Sequence, residues 1–482
     1  MGDIVRQASA ITTVSFDAPG LGDRSYLLSD GKVGVVVDPQ REPSPYLQAA
    51  AQLGVGIVAV LETHIHNDYV SGGAALALLT GATYAIPAGE SVSFSGELRT
   101  LDDGDTLLAG GLEVTAIATA GHTAHHLSYL FKPTDETAGE RVPEHIVCTG
   151  GSLLHGATGR TDLLGPDLAE TLARSQWHSV RRLLTTLPRQ AKILPTHGFG
   201  SFCSATPAAG GSAGVSTIAQ ELEHNPGALL EEEEFVTSLL VDPLPIPSYY
   251  RYMAPLNRKG PAVPSFGPAP ELDADALDDA IRGAKWVVDL RKRWEFAAAH
   301  LSGTVNLELG DNLTTYLGWI VPWESNLVLI AKDAAEIAEA RRLIARIGRD
   351  DLSGLALWGK AASAPDQTGG SRLHSYPVAT FSDLAEAWSD KETLRPRVFD
   401  VRHRHEWQAG HLLGARNLAL PELVAHRGDV PTTVPVWVHC GAGFRAAAAA
   451  SLLSGWGASP VLIDDVWSNV SETDLPIVIE RD

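Results

Sequence analysis

A single cysteine, Cys440, stands where an apolar strand-like run, Val436–Cys440, meets a predicted helix. Glycines after it permit a tight loop whose amide N–H groups point at the sulfur, and a helix N-terminus and a guanidinium add positive potential. This setting favours a thiolate and would stabilise a persulfide. A buried structural cysteine is the alternative, but the complete pattern favours a nucleophile, with Cys440 and Arg445 as catalytic residues. The cradle residues between them are Gly441, Ala442, Gly443 and Phe444.

Histidines follow several predicted strands in the first half of the chain. The segment VLETHIHNDY places His64, His66 and Asp68 directly after an apolar run, and His122 and His197 follow in later motifs. One such histidine is more often a surface or core residue than a ligand. Several at successive strand ends indicate a metal site, because imidazole is a common ligand of zinc and iron.

Strand-like and helical runs alternate along this first part, which predicts a layered α/β domain with a site at its strand ends. The predicted strands are 26–28, 33–37, 57–61 and 114–118, and a predicted helix covers 45–53.

The rest of the chain contains an internal repeat. The pattern Asp-x-Arg-x-Arg-x-Glu, followed by spaced His, Gly, Asn and Leu, begins at Asp289 and again at Asp400. In each copy strands alternate with helices, which predicts duplicated α/β domains with parallel sheets. The first copy has Ala331 at the position of Cys440, so it carries no nucleophile and is interpreted as a spacer or docking domain.

Length and linkers divide the chain. Pro/Gly-rich stretches at 259–270 and 360–377 separate three predicted domains among the 482 residues, with boundaries 1–262, 271–360 and 378–478.

Composition limits the class of partner. A formal net charge of −21 argues against nucleic acid or an anionic membrane as the partner.

The first residues lack the features of a signal peptide, and three scattered cysteines suit a reducing cytoplasm. We also expect a homo-oligomer. Cys148 and Cys203 lack a glycine loop and are interpreted as structural.

Two families resemble these motifs. The loop from Cys440 to Arg445 resembles that of the rhodanese sulfurtransferases, and the flanking Asp400, Arg402, Glu406 and His411, read as structural, are similar to the family's first half. The histidine order, with Gly159-Arg160-Thr161-Asp162 and Asn225-Pro226, resembles the persulfide dioxygenase (sulfur dioxygenase) branch of the metallo-β-lactamase superfamily over about residues 12 to 260. The whole order resembles persulfide dioxygenase–rhodanese fusions.

The resemblance implies an αββα sandwich followed by two rhodanese-like domains. It implies oxidation of a low-molecular-weight thiol persulfide by O2 to sulfite at a mononuclear Fe(II), with zinc as the alternative metal. Cys440 would carry a sulfane sulfur as a thiosulfate sulfurtransferase, and would either pass it to sulfite, giving thiosulfate, or deliver it from a donor towards the metal site. Arg160 would hold a carboxylate of the thiol carrier, or else pair with Asp162. The remaining predicted substrate-binding residues are Tyr26, Tyr69 and His197.

The chain departs from the family pattern at two positions. The family's iron is bound by two histidines and an aspartate. The histidines match His64 and His122, but the aspartate is replaced by Gly151, which has no side chain to bind a metal. In addition, Tyr69 stands where the family has a further histidine. Both changes argue against a two-zinc hydrolase, and they leave His64, His66 and His122 as the predicted ligands, with water, Asp68 or His126 able to complete the site.

Three functions therefore stay open: a bifunctional enzyme, a sulfurtransferase with an oxygenase-inactive scaffold domain, and a metal-dependent thioester hydrolase fused to a rhodanese.

Overall fold

The computed structural model describes residues 3–5, 11–134, 144–198, 200–205, 215–241, 243–283, 285–363, 372–390 and 395–479. Residues 364–371 of the second predicted linker lie outside this range. The chain divides into two compact units, Met1–Ser265 with Ala345–Gly348, and Phe266–Ile344 with Arg349–Asp482. Apart from Ala345–Gly348, both copies of the repeat thus fall in the second unit.

The strands lie in chain order as follows: β1 Asp3–Val5, β2 Thr12–Ala18, β3 Asp23–Ser29, β4 Val33–Val37, β5 Gly56–Leu61, β6 Thr83–Pro87, β7 Leu98–Leu101, β8 Thr106–Ala109, β9 Leu112–Ala118, β10 Leu127–Pro133, β11 Ile146–Gly150, β12 Leu153–Leu154, β13 Ala157–Thr158, β14 Lys192–Pro195, β15 Ser216–Thr217, β16 Trp286–Asp289, β17 His300–Leu301, β18 Val305–Asn306, β19 Leu327–Ala331, β20 Gly354–Leu357, β21 Leu373–His374, β22 Val378–Ala379, β23 Arg397–Asp400, β24 His411–Leu412, β25 Arg416–Asn417, β26 Pro435–His439, β27 Ser459–Ile463 and β28 Ile477–Val478.

The helices are α1 Ser44–Leu53, α2 Gly73–Thr80, α3 Pro166–Thr186, α4 Ile218–His224, α5 Pro226–Leu229, α6 Glu232–Leu240, α7 Tyr250–Arg258, α8 Ala274–Arg282, α9 Arg293–Ala298, α10 Leu313–Ile320, α11 Ala334–Ala345, α12 Trp358–Ser363, α13 Phe381–Ser389, α14 Arg404–Gln408, α15 Leu420–Leu423 and α16 Phe444–Gly455. Among the described residues, no helix is long and apolar enough to cross a bilayer.

Two sheets face each other in the first unit. One has the order β1-β2-β3-β4-β5-β6-β7 and the other the order β15-β14-β11-β10-β9-β8. A core of apolar side chains from both sheets, including Tyr26, Leu61 and Phe131, fills the space between them. Helices α1 and α2 cover the outer face of the first sheet, and α3 covers that of the second. The layers therefore follow an αββα order, because each sheet must bury both of its apolar faces.

The second unit contains two parallel sheets. The first has the order β18-β16-β19-β20 and the second β22-β27-β26-β23-β25, with parallel pairing throughout. The strands of the repeated sequence pattern occupy the same relative places in both sheets. Helix α16 packs on β26 and β27 on one side and on β18 on the other, so Ala446–Leu453 are all buried. Small side chains suit a helix that is enclosed in this way.

Candidate functional site

Three histidines meet at one edge of the αββα sandwich. His64 follows β5, His122 follows β9 and His197 follows β14, and all three side chains are fully buried. Their nearest ring nitrogens all lie within 4.8 Å of one another. The Nε2 atoms of His64 and His197 are 3.3 Å apart. Strand ends thus bring together residues that are far apart in sequence.

Hydrogen bonds at Nδ1 define the tautomer of each ring. His122 Nδ1 donates to the carbonyl oxygen of Arg160 at 2.8 Å, and His197 Nδ1 donates to Asp23 Oδ1 at 2.8 Å. His64 Nδ1 lies 2.9 Å from Thr63 Oγ1, whose own proton goes to Asp38. Nδ1 of His64 must therefore be the donor. All three Nε2 atoms then carry lone pairs.

This arrangement fits a metal ion. Burial lowers the pKa of all three histidines, so the rings are neutral ligands. His122 Nε2 has no hydrogen-bond partner among the described residues. Lone pairs of two Nε2 atoms 3.3 Å apart repel unless a cation lies between them. Tetrahedral ligands at a usual zinc–nitrogen distance are about 3.4 Å apart, which matches this spacing.

His66, which the sequence analysis placed among the ligands, lies in a different group. Its Nε2 is 3.2 Å from Asp38 Oδ1 and 3.3 Å from Glu62 Oε2. Burial alone would lower the pKa of His66, but the two carboxylates outweigh it and raise the pKa to about 10. The Tyr69 ring stacks on His66, and Tyr69 Oη donates to the carbonyl oxygen of Asp38. The structure therefore groups His197, and not His66, with His64 and His122.

The other candidate ligands differ in what they can offer. Asp68 is fully buried, and its Oδ2 lies 3.3 Å from His197 Nδ1. His66, Asp68 and His197 form a second group whose ligand atoms lie within 4.8 Å of one another. His126 Nε2 already accepts a hydrogen bond from the backbone of Gly151 at 3.0 Å, so it has no lone pair for a metal.

Gly151 lies directly against the His122 ring. A Cβ atom built on Gly151 would lie 2.8 Å from His122 Nε2. While His122 holds its present position, the site has no room for the aspartate that the resemblance leads one to expect there.

Arg160 is fully engaged within the domain. Its Nε and Nη2 each donate to Asp162 at 2.7 Å, and Nη1 and Nη2 donate to the carbonyl oxygens of Phe202, Pro245 and Leu244. These contacts use all five N–H donors of the guanidinium. The structure therefore favours the alternative role, the ion pair with Asp162, over a contact with a substrate carboxylate.

Tyr26, the remaining predicted pocket residue, is buried in the core between the sheets, and its hydroxyl donates to the carbonyl oxygen of Pro195 at 2.7 Å. The Tyr26 side chain therefore packs within the core and does not line a pocket.

Sequence reasoning missed the residues that orient the histidines, which are Asp23, Asp38 and Thr63. The signal that could have found Asp38 is its place directly after β4.

The predicted cysteine loop lies at the end of a buried strand. Cys440 follows β26, is 2% exposed, and leads to Gly443, which has φ +88° and ψ −36° and precedes α16. The backbone N–H of Trp467 donates to the carbonyl oxygen of Gly441 at 2.9 Å. Only glycine adopts such a conformation at Gly443 without strain, so the sequence of the loop determines its tight path.

Arg445, at the start of α16, is paired rather than free. Its Nη1 and Nη2 contact the two carboxylate oxygens of Glu406 at 2.5 and 2.8 Å. Burial would raise the pKa of Glu406, but Arg445 outweighs it and lowers the pKa to about 2. The ion pair holds the guanidinium beside the loop.

The other two cysteines lie away from any such loop. Cys148 and Cys203 are fully buried, and burial raises the pKa of both thiols well above the usual value.

Known families match both halves of the chain. The metallo-beta-lactamase superfamily matches residues 20–134, and the rhodanese-like domain family matches residues 382–472. The human mitochondrial persulfide dioxygenase ETHE1 is 28% identical over 239 residues, which are 49% of this chain and 83% of that protein. A hydroxyacylglutathione hydrolase from Rhizobium etli is 31% identical over 158 residues, 33% of this chain and 55% of that protein.

A solved structure supports the same fold. The metallo-beta-lactamase from Staphylococcus aureus subsp. aureus COL aligns with a TM-score of 0.63 and 26% identity, over 73% of this chain and 99% of that one. These matches confirm the predicted resemblance. The chain carries an N-terminal metallo-β-lactamase domain with persulfide dioxygenase homologues, followed by a C-terminal rhodanese-like domain.

Proposed function

We propose that the chain is a bifunctional enzyme of sulfide detoxification. Its first domain oxidises a low-molecular-weight thiol persulfide with O2, and Cys440 transfers sulfane sulfur. The observation that carries the proposal is the buried three-histidine group in a domain homologous to persulfide dioxygenases, joined in one chain to a rhodanese-type cysteine loop. The three free cysteines fit a reducing compartment, which we take to be the cytoplasm.

In the first domain, His64, His122 and His197 would hold one metal ion, which we propose to be iron, with zinc as the alternative. Iron bound there supplies the redox chemistry with O2 that no side chain can perform. Thr63, Asp23 and the Arg160 carbonyl keep the Nδ1 protons in place and so aim every Nε2 inward. Overall, one thiol persulfide, one O2 and one water give one thiol, one sulfite and two protons.

In residues 378–478 (the third segment), the Cys440 thiolate would attack the outer sulfur of thiosulfate. A sulfur–sulfur bond forms at Cys440, and sulfite leaves with the electron pair of the bond that breaks. The loop amides between Gly441 and Phe444 would stabilise the anionic sulfur, and Arg445 would add positive charge at the start of α16. A nucleophile such as sulfite, cyanide or a thiol then takes the outer sulfur and restores the thiolate.

We further propose that 271–360 is a degenerate rhodanese-like domain. Its sheet repeats the strand order and parallel pairing of the 378–478 segment. Ala331 ends β19 where Cys440 follows β26, so a copy with this fold has no sulfur to react.

One alternative rests on a specific observation. His66, Asp68 and His197 form a second metal-sized group beside the first, and hydroxyacylglutathione hydrolases are among the relatives. A thioester hydrolase with two metal ions would use both groups. The contacts of His66 argue against the hydrolase, because its Nε2 already faces the carboxylates of Asp38 and Glu62 rather than a second metal position.

The deciding experiment uses the full chain purified without added metal. We expect about one iron per chain, O2 uptake with glutathione persulfide, and thiosulfate-to-cyanide sulfur transfer. Cys440→Ser should abolish the transfer and leave O2 uptake unchanged. Two zinc ions with cleavage of a glutathione thioester would instead establish the hydrolase, and sulfur transfer without O2 uptake would show that the first domain is a scaffold.

A further inference from the structure

An ion pair between Arg293 of residues 271–360 (the middle segment) and Asp464 of residues 378–478 (the third segment) lies against the Cys440 loop. A Cβ atom built on Gly443 would meet Asp464 Oδ1, and it would lie 2.9 Å from Nε and 3.2 Å from Cζ of Arg293. Arg293 begins α9, in the segment that lacks a cysteine, whereas Asp464 follows β27. A charged group of the middle segment therefore touches the loop that would hold the reactive sulfur.

Arg293 is held firmly in this place. Its Nε donates to Asp464 Oδ1 at 2.6 Å, and its Nη1 donates to Glu308 Oε2 at 2.7 Å. Both carboxylates are mostly buried. The guanidinium thus connects the two segments through one side chain, with a geometry that suits its planar fork.

Without Arg293, the negative charge of Asp464 would oppose the formation of an anion in the Cys440 loop. A negative carboxylate would face Gly443, which is three residues from a sulfur that must become an anion. Like charges in a partly buried setting repel more strongly than in water, so an unpaired carboxylate beside the loop would slow a reaction that builds negative charge on the sulfur. The third segment offers Arg445 to the loop, but that guanidinium is already paired with Glu406.

Further contacts hold the two segments together around α16. The backbone N–H of Asn306 donates to Ser451 Oγ at 2.9 Å within the buried interface. The Tyr316 ring packs on Phe444, one of the loop residues, with ring centroids 5.4 Å apart. Contacts of this kind place Arg293 reproducibly against the loop.

We propose that the segment without a cysteine is a working part of the sulfur-transfer site, in which Arg293 neutralises Asp464 beside the Cys440 loop. Arg293 is a positioning residue, because it acts through Asp464 and does not touch the sulfur. This inference rests on the proposed sulfur transfer by Cys440, and it replaces the interpretation of the middle segment as a spacer or docking domain.

The test is a double-mutant cycle in the full chain, with thiosulfate as donor and cyanide as acceptor. We expect Arg293→Ala to lower kcat on the order of tenfold. Asp464→Asn should cost less. The double variant should be faster than Arg293→Ala alone, because it removes the unpaired carboxylate. Glu308 is unchanged in Arg293→Ala and in the double variant, so the comparison of these two isolates the effect of Asp464.

A merely structural ion pair gives the opposite order. If the contact only holds the fold, the double variant will be no faster than Arg293→Ala, and the proposal is then wrong. Arg293→Lys should recover most of the activity, since it restores the positive charge. Arg282→Ala, which removes an exposed ion pair to Asp279 in the same segment, serves as the control and should match the wild type. Absence of transfer by the wild type would instead refute the function proposed for Cys440.

Discussion

Gly443→Ala tests whether the cysteine loop is as tightly enclosed as its geometry implies. Gly443 has φ +88°, and the Arg293–Asp464 ion pair occupies the space that a Cβ atom at this position would need. Gly457, beyond the other end of α16, has φ +85° but no atom within 4 Å of the position of its missing Cβ. The two glycines therefore share a positive φ and differ in the space around the missing Cβ.

The expected magnitudes follow from this difference. A non-glycine residue at such a φ costs about 1 to 2 kcal/mol at either position. At Gly443 the new methyl must also displace a partly buried ion pair with charged hydrogen bonds, which adds about 2 kcal/mol. We expect a loss of about 1.5 kcal/mol in the free energy of unfolding for Gly457→Ala and about 3.5 kcal/mol for Gly443→Ala.

Urea unfolding followed by tryptophan fluorescence measures this loss, because every tryptophan except Trp177 lies in the second unit. Sulfur transfer should fall about 100-fold in Gly443→Ala, since misaimed loop amides no longer stabilise the anion. It should stay near the wild-type rate in Gly457→Ala. Equal losses of stability in the two variants would refute the claim that Arg293 and Asp464 confine the loop.

Two further substitutions have definite expected outcomes. Gly151→Asp should lower the metal content measured by elemental analysis, because its Cβ would displace the His122 ring, and a gain of metal would show that His122 can move to admit a fourth ligand. Glu406→Gln should lower the free energy of unfolding by about 3 kcal/mol at pH 7, since the pKa of Glu406 falls from 4.5 to about 2 beside Arg445. The ion pair stabilises fully above about pH 4.5 and is lost as the pH falls towards 2, so urea unfolding at pH 7 and pH 3 should show a smaller difference at pH 3.

Strands and loops with local signals could be predicted from the sequence. The predicted strand 33–37 coincides with β4, and the predicted runs 57–61 and 114–118 fall within β5 and β9. Each is an apolar run with a clear boundary, so short-range information suffices. The turn from β26 through Gly443 into α16 is local in the same sense.

Which histidines lie together could not be predicted, because their grouping depends on contacts between distant strands. His64 and His66 are two residues apart and look equivalent in sequence. Asp38 after β4 and Glu62 after β5 draw His66 towards themselves, while Thr63 turns His64 inward. Buried carboxylates attract an imidazole more strongly than any local preference can, and no pattern within one strand reveals them.

Comparison of the two copies of the repeat shows which ion pairs stabilise the fold in both. Asp289 binds Arg291 through both carboxylate oxygens, and Asp400 binds Arg402 in the same way. The following glutamate also has a cationic partner in each copy, since Glu295 pairs with Lys332 as Glu406 pairs with Arg445.

The Asp–Arg pair is present where no cysteine is present, so its common role is to hold the turn that follows the first strand of each copy rather than to react. What only the third segment has is Cys440 with its glycine loop, and against that loop lies Arg293 of the first copy. A segment without a cysteine can thus keep its ion pairs for stability and still supply a charge to its neighbour. That division of roles explains why a copy without a nucleophile would retain an arginine at this position.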